Sequence, residues 1–208
     1  MAEVEMKLGK QMRITDDEKS IIKSIFHNNH KLLYSLTEAF LPEVDANVAF
    51  AKQATFYGPI DTSKMSPEEV VRKVKAINDF VKHIQVCMAQ LWVLSDTPFL
   101  EMSVSPTYDE RKVAIRSAFK GNSDALKLLR KVFYPELDPK APFTQQLDMF
   151  AFIDPSTLSP IELWIHMSAR ITIINHVEHT LEHLEQVANL TEKTPEQIAL
   201  EQKQNSTK

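Results

Sequence analysis

Three histidines, His176, His179 and His183, follow one another at intervals of three and four residues. On a helix turning about 100° per residue they share a face roughly 60° wide, so the three imidazoles could meet one transition-metal ion or one anionic partner. His166 lies a few turns earlier, and His27-Asn28-Asn29-His30 adds two imidazoles that could join them if the first and last long helices pack side by side. The same geometry also fits a solvated surface. The face lies opposite the apolar seam of its helix and is interleaved with Glu178, Glu182 and Glu185, whereas metal centres in helical bundles take inward-pointing ligands from several helices. The expected role is therefore a polar, solvent-facing or partner-facing surface without a cofactor. A transition metal held by His176, His179 and His183 is the alternative.

A second set of residues is cationic. Between Thr107 and Tyr134 seven cations stand against three carboxylates, a local +4, while Ser159 to Lys208 carries −3. Lys112, Arg116 and Lys120 recur every four residues as one stripe, followed by Lys127, Arg130 and Lys131. Such a stripe could hold phosphate, an acidic partner or the acidic surface of a second copy. Stacking aromatics are not interleaved with it, which disfavours nucleic acid. A third set is apolar: Phe143 and Phe150 lie in a proline-stiffened connection and read either as core anchors or as a contact patch.

The elements that must position these residues are helices. Ser159-Pro160-Ile161-Glu162 has the residues of a capping box with proline at the first helical position, and no Pro or Gly interrupts the chain from there to Leu190. Leu163, Met167, Ile174, Val177, Leu181, Leu184 and Ala188 form its seam, and the first half is apolar on nearly every side, which predicts a central helix. Arg170 falls within that seam and must snorkel or pair with a carboxylate. Ser66-Pro67-Glu68-Glu69 opens a second long helix whose seam runs from Val70 to Leu91. Thr15-Asp16-Asp17-Glu18 opens one helix reaching Leu41, and shorter helices are expected at about 43–56, 107–120, 124–134 and 145–152. The fold class is all-α: an irregular bundle of about six to eight helices, centred on two long ones at about 67–95 and 160–190 that pack antiparallel or crossing. Residues 1–14 read as an arm, 15–190 as a single domain, and 191–208 as a short helix and polar tail.

Composition narrows the function. The chain has 208 residues, 43% of them hydrophobic, only three glycines, and a net charge of −4. That describes a globular helical chain and argues against a dedicated nucleic-acid binder. The lone Cys87 excludes a disulfide framework and fits a reducing compartment. No signal peptide or membrane helix is expected, because apolar runs fall far short of the roughly 20 residues a bilayer requires. Phosphate loop, nucleophile elbow and His-Glu-x-x-His motifs are all missing, so catalysis is not expected. The expected function is a non-catalytic helical subunit of a larger assembly: an adaptor, scaffold or structural component, as of a viral or phage particle. It would act through a protein partner or self-association, in the cytoplasm, or in the host cytoplasm or virion if viral. The alternatives are a metal-binding bundle using the histidines and a nucleic-acid-associated regulator using the basic face.

Overall fold

The computed structural model describes residues 14–41, 64–98, 106–134, 140–148, 150 and 152–190. Among them the chain is all-α: α1 (Asp16–Phe26), α2 (His30–Phe40), α3 (Pro67–Leu94), α4 (Tyr108–Phe119), α5 (Ser123–Phe133), α6 (Phe143–Leu147), a 3-10 turn (Pro155–Thr157) and α7 (Pro160–Asn189). The helix expected at 43–56, the arm before Ile14 and the tail after Leu190 lie outside the described residues. Ile14, assigned to the arm, is itself buried against the core.

Four helix starts are built alike. Thr15, Ser66, Thr107 and Ser159 each accept from the backbone N–H three residues on, where Glu18, Glu69, Glu110 and Glu162 return a carboxylate to the cap N–H. Each such box satisfies two donors that a helix start otherwise leaves open. All four glutamates have pKa values below the ordinary range. For Glu110 the Lys31 ammonium, 2.6 Å away, is the largest cause, bringing it to about 2.

The first expected helix is two helices. Asn28 takes a left-handed φ of 57° after α1, and Asn29 caps α2 by accepting from Leu32 N–H at 3.2 Å. Asparagine tolerates that conformation and its short amide suits the cap, so His27-Asn28-Asn29-His30 is a turn.

The two long helices form the centre, as their seams predict. α7 packs against α2, α3, α4, α5 and α6, and α3 packs against α1, α2, α5 and α7. Of the two expected arrangements, antiparallel or crossing, the antiparallel one is not found. Glu162 lies in the field of Lys75 and Arg72, and His166 Nε2 is 3.5 Å from Asp79 Oδ2, so later residues of α7 meet later residues of α3 over their first halves. Five phenylalanines fill the core between the elements: Phe26, Phe40, Phe80, Phe119 and Phe133 are fully buried. Phe40 and Phe133 have ring centroids 4.2 Å apart, joining the ends of α2 and α5.

Candidate functional site

Four of the seven histidines, His27, His30, His83 and His176, reach backbone carbonyls at or just beyond helix ends. A helix leaves its last carbonyls without N–H partners, and a glycine in the left-handed conformation commonly turns the chain back to satisfy them. This chain has three glycines in all. After α1, α3 and α4 the left-handed position is taken by Asn28, Asp96 and Gly121, with φ of 57°, 52° and 68°. After α2 and α5 the next residue beyond the cap is Pro42 or Pro135, which can neither adopt that conformation nor return an N–H. These are the two helices whose last carbonyls take an imidazole from a long helix. His176 Nε2 lies 3.1 Å from Phe40 O, and His83 Nε2 lies 2.8 Å from Phe133 O. At the end of α7, Arg116 donates to Leu190 O at 2.8 Å. His27 Nδ1 reaches Ser95 O at 3.1 Å, and His30 Nε2 reaches Pro98 O at 3.2 Å.

The expected trio therefore divides. His176 is half-buried on the flank of α7 and faces the end of α2, a placement the far-side reading of its face missed; His179 and His183 are exposed. His27 and His30 meet the chain just after α3 instead of the late histidines. Among the described residues no group of three or more His, Cys, Asp or Glu side chains is gathered around a point where a metal ion could sit.

Burial sets the protonation of the inward imidazoles. Desolvation holds His83 down to about 4, against a smaller upward effect of its bond to Phe133, and it lowers His176 as well. Cys87 Sγ lies 3.4 Å from His83 Nε2, and full burial pushes the thiol far above its usual value. It is an unreactive core thiol at neutral pH. His166 goes the other way: burial would lower it, but the Asp79 carboxylate and the Glu162 carbonyl, 2.9 Å from Nδ1, together raise it. Arg170 is half-buried, and its enclosed Nε has no hydrogen-bond partner among the described residues.

Most of the expected cationic face is engaged within the chain. Arg130 pairs with Glu178 at 2.8 Å, Lys131 with Glu18 at 2.8 Å and Lys127 with Asp124 at 2.8 Å. Tyr134 also donates to Glu178, and Arg111 pairs with Glu38. Lys112 is half-buried with its ammonium 4.2 Å from the Tyr108 ring centre, and Lys120 is exposed at the end of α4. The charge contrast between the 107–134 segment and α7 thus helps join α5 to α7.

What the fold leaves open is apolar. The first half of α7 does not bury every side: Ile161, Trp164 and Ile171 are 51%, 65% and 55% exposed. They lie within an arc of about 80° at 100° per residue, opposite the buried Ala169, Ile173 and Val177. Phe143 of α6, 47% exposed, extends the row, its ring 6.4 Å from that of Trp164. Phe150, expected with Phe143 as a contact residue, is instead a core residue: it is 2% exposed and packs edge-on against Phe80 at 4.5 Å and against His83 at 5.0 Å. Further along α7 the same outward face is polar, with Asn175, His179, Glu182 and Gln186.

No family model, curated protein or solved structure matches this chain. Among the described residues no helix is long and apolar enough to cross a membrane.

Proposed function

We propose that the protein is a non-catalytic helical subunit that works by contact, docking on a protein partner through the outward face of the first half of α7. The supporting observation is the row of Ile161, Trp164 and Ile171 with Phe143 beside it, large apolar side chains that folding leaves in water. Covering apolar surface contributes roughly 25 cal/mol per Å², and Trp and other aromatic side chains tend to dominate the energetics of protein interfaces. The polar second half of the same face bounds the patch and gives a partner a defined register. The buried Cys87 thiol fits a reducing compartment such as the cytoplasm. Adaptor, scaffold and particle component are three forms of the same role, separated by what the patch binds.

The test places a photo-crosslinking amino acid at position 164 in the source cells, identifies the adduct, and rebuilds the complex from purified components. A defined adduct is expected, to a second copy or to another protein, and its reconstitution should be lost on Trp164→Ser with the thermal midpoint unchanged. Light scattering of the purified chain reports the second-copy case directly. A protein that stays monomeric at every concentration and gives no defined adduct at 164 overturns the reading.

A further inference from the structure

A cleft of about 510 Å³ lies between α2 and the second half of α3, away from the α7 patch. Tyr34, Thr37 and Leu41 form one wall at helical spacing, and Gln85, Met88, Ala89, Trp92 and Val93 form the other, with Gln85 exposed so that its amide keeps its contact with water. The volume falls in the roughly 300–1,000 Å³ range of small-molecule pockets and is well above the ~150 Å³ of an engineered cavity that admits benzene.

The chemistry of the walls narrows the occupant. No acidic or basic side chain is among the described residues that line the cleft. The Thr37 hydroxyl already donates to Leu33 O at 2.9 Å. The Thr97 hydroxyl at the far end accepts from Asn28 N–H at 2.9 Å and has Phe26 O and Ser95 O as acceptors at 3.2 and 3.3 Å. Aromatic rings brace the wall: Tyr34 packs edge-on against Trp92 at 5.4 Å, and the His30 ring lies tilted against Trp92 at 5.9 Å. The cleft is also elongated, since Tyr34 to Leu41 spans about 10 Å at 1.5 Å per residue. A charged ligand would lose its hydration without a counter-charge in this wall, whereas an apolar chain loses nothing.

We infer that this cleft is a binding site for an uncharged aliphatic chain, laid along α2 between Tyr34 and Leu41 and against Trp92. The chain has two tryptophans, so Trp164→Phe leaves Trp92 as the sole indole reporter. Terminally brominated alkan-1-ols, from octanol to dodecanol, quench an indole only on close contact. Saturable quenching of Trp92 is expected, with affinity rising about fourfold per added methylene until the cleft is full, then levelling off. Ala89→Phe, made at an exposed lining position, should abolish the saturable phase while the far-UV circular dichroism stays unchanged. Three results would overturn the inference: no saturable quenching, quenching that survives Ala89→Phe, or affinity that climbs with chain length without a break, as in non-specific adsorption.

Discussion

The imidazole of His176 on α7 and the carbonyl of Phe40, the last residue of α2, are 3.1 Å apart, with Nε2 as donor. Because Pro42 has no N–H to offer, the imidazole completes a helix end that the local sequence leaves open. His176→Ala should lower stability by about 1 kcal/mol, the net worth of one partly buried hydrogen bond. His176→Gln, which keeps an N–H donor of similar reach, should recover part of it. Urea midpoints of the three proteins compare them, and equal midpoints for wild type and His176→Ala would show the cap to be dispensable.

His83 gives the fold an acid limit. Its folded pKa of about 4 lies below the ordinary 6.5, so the unfolded chain takes up a proton first. The stability it lends is present above pH 6.5 and is lost as pH falls towards 4, by up to about 3 kcal/mol at 1.36 kcal/mol per unit. Urea unfolding at steps across that window should show the decline, and His83→Gln should flatten it.

His166 has the opposite sign. Its pKa is raised in the folded state, with the Asp79 carboxylate and Glu162 carbonyl outweighing burial. Its contribution is therefore present below pH 6.5 and fades as pH rises through the folded value. Asp79→Asn should lower the His166 pKa, followed by its ring proton resonances in a pH titration. An unmoved titration midpoint would remove Asp79 as the cause.

Phe143 and Phe150, seven positions apart in one connection, should behave as different kinds of residue. Phe150→Ala opens a hole against Phe80 and His83 and should cost about 3–5 kcal/mol. Phe143→Ala, on the surface beside Trp164, should change stability by less than about 0.5 kcal/mol while weakening partner binding. Thermal melts of the two variants side by side decide it, and equal losses would mean that Phe143 is structural too.

Helix starts were legible in the sequence because a capping box is local: Ser66 and Glu69, or Ser159 and Glu162, declare themselves within four residues. The two long helices followed from those starts together with uninterrupted seams. Where the helices end was legible as well, at Leu41, Lys120, Tyr134 and Leu190 to within a residue; what completes those ends was not, because His83, His176 and Arg116 act on carbonyls far away along the chain, and their spacing resembles that of ligands or a cationic face. The break at Asn28 was hidden by apolar residues that keep helical register on both sides of it. The outward turn of Trp164 was hidden too. In a half-helix apolar at every angle, only the neighbouring helices decide which side is left uncovered, and the positions of α3, α4 and α6 are tertiary facts. Periodicity could not tell that His176 lies on the flank of α7 facing α2 while His179 and His183 are exposed.

The imported helix ends also set an order of events during synthesis. Phe40 and His176 are separated by 136 positions, so a nascent chain that has produced α2 has not yet produced the group that finishes it. Helical bundles rich in local contacts fold fast, and closures of this length slow folding. α2 must wait, incomplete at its end, until α7 leaves the ribosome. A truncation that removes α7 takes away the cap of α2 together with much of the core, and the remaining fragment is left with helix ends open to water.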